Sequence, residues 1–197
     1  MGNLHGWSGR IVLPTMDTDD QHLLQRAVAL HRPIARAASL ARGNGLSLLA
    51  FGVLSLLVSL IGFDPFGLAI GAVLTMTGLV EFRTSRRLAR ADLLAPRILA
   101  RNELILMAGI LVYCVLKLTV LRESGDELSA QLSVASGMDI DLADLTDSLN
   151  TLIYTTFSVV TVFYQGGLAR YFMRRRAMIE AYLRESPEWA RRTIAEL

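Results

Sequence analysis

Four long apolar runs separated by loops of opposite charge are the feature that most constrains this chain. The runs cover residues 46–63, 66–82, 104–121 and 149–168, and each approaches the ~20 residues that a helix needs to cross a bilayer. Hydrophobic residues make up 52% of the 197-residue chain, too much for most soluble domains. The sequence therefore predicts an all-α integral membrane protein, a bundle of four transmembrane helices.

The charges between the runs predict an orientation. The segment 122–150 carries one arginine and seven acidic residues, and the turn 62–65 carries no basic residue. The other flanks are crowded with arginine: Arg26, Arg32, Arg36, Arg42, Arg83, Arg86, Arg87, Arg90, Arg97, Arg101, Arg170, Arg174, Arg175 and Arg176. By the positive-inside rule both termini are cytoplasmic. Only one of the twenty basic residues is lysine, which favours a GC-rich bacterial genome and hence a bacterial inner membrane.

The sequence divides into three parts. Residues 1–45 form a cytosolic arm, residues 46–168 form the transmembrane domain with an acidic outer loop at 122–148, and residues 169–197 form a basic cytosolic tail. The arm has apolar residues at helical spacing opposite arginines, which is typical of an amphipathic helix lying on the inner membrane surface. We expect Pro33 to kink or divide it, and Gly43-Asn44-Gly45 to turn the chain into the bilayer.

The fourth helix is predicted to be long. Apolar residues at helical spacing place its start near Asp139, outside the membrane, and the pattern continues to Leu183 before Ser186-Pro187 opens a short final helix. The first two helices carry rows of small residues, which usually let membrane helices pack closely. These rows are Gly52, Ser55, Ser59 and Gly62 in the first helix, and Gly67, Gly71, Thr75 and Gly78 in the second.

A polar seam runs along the fourth helix. Steps of three and four residues connect Asp141, Asp144, Ser148, Thr151, Thr155, Ser158, Val162 and Gln165, and all but Val162 are polar. Polar groups at membrane depth tend to face a bundle interior or a water-filled path. One interpretation is a cation path with carboxylates at its outer mouth. The other is helix packing, with the hydroxyls bonded to their own helix or to a neighbour.

An inner polar cluster is predicted at the cytoplasmic ends of the helices. Asn44, Glu81, Asn102 and Glu103 all fall at similar depth, with Gln165 of the seam beside them. A carboxylate at that depth needs a partner, and the flanking Arg42, Arg83 and Arg101 are candidates. The cluster is interpreted either as an inner gate or proton- or ion-binding site, or as a structural network that ties the helix ends together.

Two outer charges complete the candidate residues. Lys117 lies in the outer part of the third run, where its stem can reach outward to meet Asp64 or the acidic loop, or else take part in ion selectivity. Motifs of hydrolases, metalloproteases and nucleotide-binding loops are missing, and the three histidines and the lone Cys114 do not stand at ligand spacing. We therefore expect no enzyme, no cofactor and no metal site.

Two functions fit these patterns. The first is a homo-oligomeric cation-conducting channel lined by the fourth helix. The second is a non-catalytic structural or accessory membrane subunit whose polar seam is a packing interface. Expected partners are further copies of the chain or another membrane protein, and anionic lipids at the arginine clusters. Nucleic acid is not an expected partner.

Overall fold

The computed structural model describes residues 17–119 and 142–196, with side chains except at 142–146 and 196. The described chain is 93% helical without strands. Its helices are α1 (Thr18–Ile61), α2 (Pro65–Ala89), α3 (Ala95–Thr119), α4 (Leu142–Glu185) and α5 (Glu188–Glu196). The first four are long and apolar enough to cross a membrane. The prediction of an all-helical, four-crossing membrane bundle is confirmed, and the start expected near Asp139 lies outside the described residues.

Helix α1 is a single helix of 44 residues, about 66 Å long at 1.5 Å per residue and about twice the thickness of a bilayer core. It begins after Asp17, whose carboxylate accepts a hydrogen bond from Thr18 N over 2.7 Å. Pro33 lies inside it without ending it. The prediction that Gly43-Asn44-Gly45 turns the chain is wrong, because all three residues are helical.

Close packing against α2 explains one of those glycines. A Cβ added at Gly45 would lie 2.8 Å from Phe82 N and 2.9 Å from Gly78 O, so a larger residue there would separate the two helices. Gly45, Gly52 and Ser59 are buried at seven-residue spacing, the period that keeps one face of a helix against its partner. Glycine at this position therefore allows helix contact and does not form a turn.

The predicted rows of small residues meet between α1 and α2. A Cβ at Gly52 would lie 2.6 Å from Thr75 N, and a Cβ at Gly78 would lie 2.7 Å from Leu49 N. The exception is Gly62, where an added Cβ would meet only the Val58 carbonyl of its own helix at 3.6 Å. Gly62 is instead the C-cap of α1. The packing prediction is confirmed for the rest of both rows.

A core lies at the arginine-rich end of the bundle, the end where α2 meets α3 and where α1 begins. It contains Leu24, Ile34, Leu88, Leu99, Phe172, Ile179 and Tyr182. The ring of His31 lies 5.2 Å from that of Tyr182, and Arg26 Nη2 lies 2.8 Å from Glu185 Oε2. The amphipathic helix predicted in the arm is present, but its apolar face packs on α4 because α4 extends equally far. The two long helices cover each other there.

Candidate functional site

Three side chains of the predicted inner cluster meet where α1, α2 and α3 come together. The Asn44 side-chain amide donates to Glu81 Oε2 over 2.9 Å and lies 3.5 Å from Glu103 Oε1. The two carboxyls therefore lie beside one another, next to the same amide nitrogen. Both glutamates have 0% exposure. Residues far apart in sequence therefore form one buried site with two carboxyls and one shared amide donor.

The arginines predicted to neutralise this pair do not do so. Within residues 17–119 and 142–196, no ion pair involves Glu81 or Glu103. Arg42 instead lies over the Phe82 ring at 5.6 Å from its centroid, and Arg86 lies over the same ring at 5.0 Å. The long arginine side chains keep their charges at the surface, where hydration and the aromatic face stabilise them. The prediction of an arginine partner is wrong.

Asn102 extends the site toward α2. Its side-chain amide is buried and donates to the Thr77 carbonyl over 3.1 Å, so it ties α3 to α2 one turn from Glu81. This carbonyl is the partner that sequence reasoning missed, because a backbone acceptor leaves no pattern in the sequence. Two acceptor atoms of the site, Glu81 Oε1 and Glu103 Oε2, are buried without a hydrogen-bond partner.

Two contacts place Gln165 at the same depth. The rings of Tyr113 on α3 and Tyr154 on α4 lie 6.2 Å apart. Glu103 on α3 and Gln165 on α4 each lie about three helical turns from this contact. Because the two helices are antiparallel, both lie in the same direction from it, and Gln165 is level with Glu103. The Arg26–Glu185 pair between α1 and α4 independently brings Gln165 level with Asn44. Gln165 is 5% exposed, and its Oε1 is a third buried acceptor without a partner.

The exposure of the polar seam of α4 changes along the helix. Ser148, Thr151 and Thr155 are exposed on the outside of the bundle, Ser158 is half-buried, and Gln165 is buried. Ser158 Oγ donates to the Tyr154 carbonyl over 2.8 Å, within its own helix. Steps of three and four average 3.5 residues, whereas a helical turn takes 3.6, so such a stripe rotates by about 20° per seven residues. This slow rotation keeps the seam positions that belong to α4 within about 120° of one another, so they share one side of the helix, which the protomer leaves exposed at Ser148 and covers at Gln165.

Other predicted positions lie apart from the inner site or outside the described side chains. Asp141 and the side chain of Asp144 are outside them. Asp64 caps α2, accepting from Phe66 N over 3.0 Å, and forms no ion pair with the half-buried Lys117, both being described residues. Cys114 is buried with 0% exposure, as expected for a thiol that packs as a small apolar side chain.

The α2–α3 connection holds the ends of the helices that carry the site. Asp92 accepts a hydrogen bond from Leu94 N over 2.8 Å and one from Arg87 Nε over 2.9 Å. The Leu94 hydrogen bond, with a smaller contribution from the Arg87 guanidinium, holds the pKa of Asp92 below its usual range. The connection is thereby fixed by a charged cap a few turns from Glu81 and Glu103.

The site can accept donors or a small cation through its oxygen atoms. Among the described side chains, no group of three or more His, Cys, Asp or Glu residues is placed to hold a metal ion. Two carboxyls and an amide that no described ion pair neutralises form a polar centre inside an apolar bundle, where an unpaired charge is costly.

The comparisons with known proteins give this chain no relative. No family model matches it, and neither a curated protein nor a solved structure matches at a significant level.

Proposed function

We propose that the protein is a homo-oligomeric membrane protein in which the outer half of α4 lines a cation path between copies. The observation that carries this proposal is the exposure of Ser148, Thr151 and Thr155 on a helix that is apolar enough to cross a membrane. These hydroxyls are not covered by their own protomer. In a bilayer such a polar face is best satisfied by water or by another polar helix face.

Cation preference follows from the charge at the outer end of the face. Asp147 precedes Thr151 by one helical turn and therefore shares its side of α4. No basic residue occurs between Asn150 and Leu168, so copies that bring their α4 helices together surround the path with hydroxyls and, at its mouth, carboxylates. Rings of such groups favour cations over anions.

The proposed orientation places the arginine-rich end in the cytoplasm, with both termini there and anionic lipid headgroups at the arginines. Exposed Arg83, Arg97, Arg101 and Arg170 support this, since juxtamembrane arginines attract anionic lipids. A membrane-impermeant thiol reagent applied to intact cells should leave Arg97→Cys unlabelled in a Cys114→Ala background. Labelling of Arg97→Cys before the cells are opened would reverse the orientation.

The experiment on conduction is a cation flux assay in liposomes with the full chain. We expect Thr151→Leu/Thr155→Leu to reduce flux about tenfold or more, because the apolar leucine side chains would expel water from the path and leave cations without hydration there. Ile153→Leu, a change on the exposed apolar side of the same helix, should leave flux unchanged. Flux that is absent from the wild-type protein, or unaltered by the double substitution, would contradict the proposal.

A structural or accessory subunit is the second candidate. It is favoured by the interruption of the seam, since Ser158 already bonds within its helix and Gln165 is buried inside the protomer. In this case the exposed hydroxyls lie in a packing interface with another helix, and that interface contains no water path. An oligomer that depends on Thr151 and Thr155 but conducts no cations would support the second function over the first.

A further inference from the structure

We infer that Glu81 and Glu103 form an exchangeable proton-binding site inside each protomer, separate from the outer face of α4. The geometry of the pair carries this inference. The two carboxyls converge on one amide nitrogen, since Asn44 Nδ2 lies 2.9 Å from Glu81 Oε2 and 3.5 Å from Glu103 Oε1. One amide donor does not neutralise two buried carboxylates, whereas a proton on one of the carboxyls supplies a second donor and removes one charge.

The environment favours a proton over a second negative charge. Both glutamates have 0% exposure. Two neighbouring carboxylates that water does not screen repel strongly in a medium of low dielectric constant. Three buried oxygens at this depth have no donor: Glu81 Oε1, Glu103 Oε2 and Gln165 Oε1. A proton on one carboxyl converts an acceptor into a donor and reduces the charge of the pair by one.

Charged groups on the surrounding helices do not replace that proton. On α1, Arg42 is two residues from Asn44 but lies over Phe82. Arg83 on α2 and Arg101 on α3 are exposed. Helix α4 contributes the uncharged Gln165 at this depth, next to the exposed Tyr164. The described ion pairs reach neither glutamate.

The position of the pair gives the proton a structural consequence. Asn44 belongs to α1, Glu81 to α2 and Glu103 to α3, so the shared proton joins three membrane helices near the arginine-rich end. Its release would leave two facing carboxylates that share one amide. Proton binding therefore favours the closely packed arrangement of α1, α2 and α3, and proton loss favours their separation.

The test is infrared spectroscopy of the full chain in nanodiscs across a pH titration. We expect the wild-type protein at neutral pH to show a carboxylic-acid carbonyl band that disappears at alkaline pH, corresponding to about one proton per chain. The band should be missing from Glu81→Gln/Glu103→Gln, whose amides imitate the protonated form and preserve the fold. Glu180→Gln, on the exposed surface of α4, should leave the band unchanged.

Three results would overturn the inference. The first is a wild-type protein without a pH-dependent carboxylic-acid band. The second is a band that persists in the double variant, which would assign it to other carboxyls. The third is removal of the band by sodium, but not by choline, at constant pH, which would make the pair a sodium site. Helical content measured by circular dichroism identifies any variant that fails to fold, and Glu103→Gln alone then replaces the double variant.

Discussion

Asn44 donates to Glu81 across 2.9 Å although 37 residues separate them in the chain. The same amide lies 3.5 Å from Glu103 Oε1, so one neutral side chain serves two buried carboxyls. The site therefore depends on Asn44 more than on any arginine. Because this one amide serves both carboxyls, we expect a substitution of Asn44 to disrupt the site more than a substitution of any flanking arginine.

Replacement of Asn44 by leucine should destabilise the protein by about 2–4 kcal/mol, because both carboxyls lose their amide donor. Asn150→Leu is the matched control, since Asn150 is exposed on α4 and its loss should change stability by no more than about 0.5 kcal/mol. Unfolding in detergent, followed by circular dichroism, gives both values. Equal stability of the two variants would show that the Asn44 amide does not support the pair.

Alanine substitutions at Gly43 and Gly45, which only Asn44 separates, should change stability in opposite directions. Gly45→Ala should destabilise by about 2 kcal/mol, because its Cβ would lie 2.8 Å from Phe82 N, a backbone atom that cannot move alone. Gly43→Ala meets nothing within 4 Å and should stabilise the helix by up to about 1 kcal/mol. Melting temperatures of the two variants test this, and a loss of stability in Gly43→Ala would favour a turn in place of continuous helix.

The Arg26–Glu185 pair should couple α1 to α4. Both side chains are partly exposed, so the coupling free energy should be small, about 0.5 kcal/mol. A double-mutant cycle with Arg26→Ala and Glu185→Ala measures it at low ionic strength. The same cycle on Arg32 and Glu185 is the control. Zero coupling in the first cycle would indicate that the beginning of α1 does not lie along α4.

Acid should weaken the α2–α3 connection through Asp92. The pKa of this carboxyl is lowered in the folded protein, so its stabilising contribution is present above the pKa of an unfolded aspartate and is lost as the pH falls through the folded value. Asp92→Ala should cost about 1 kcal/mol at neutral pH, and the difference from wild type should shrink in acid. Asp92→Asn keeps an acceptor for Leu94 N and should lie between them. A difference that is independent of pH would exclude the charge as the cause.

The sequence predicted the features that depend on helical periodicity and on the transfer of apolar side chains from water into the bilayer. Four apolar runs are enough to give four crossing helices, and rows such as Gly71 and Gly78 are enough to indicate where α1 and α2 pack. The depth of Glu81 and Glu103 near the ends of their runs also predicted that they would meet. All of these follow from helical geometry and hydrophobicity, which are local properties.

The sequence could not predict what depends on partners that are distant along the chain. Gly45 has the same local appearance in a turn as in a helix interface, and only the approach of Gly78 and Phe82 distinguishes them. Arg42 had two available partners, the buried carboxyls and an aromatic ring at the surface, and desolvation favours the ring. The change along the polar seam of α4, exposed at Thr151 and buried at Gln165, depends in the same way on which neighbouring helices reach each level.

The measurement that tests the central proposal most directly is the mass of the protein in nanodiscs or detergent by light scattering. We predict a wild-type assembly larger than a dimer, reduced to smaller species by Thr151→Leu/Thr155→Leu and unaffected by Ile153→Leu. A wild-type monomer, or an assembly that both sets of substitutions leave intact, would contradict association through the exposed polar face of α4.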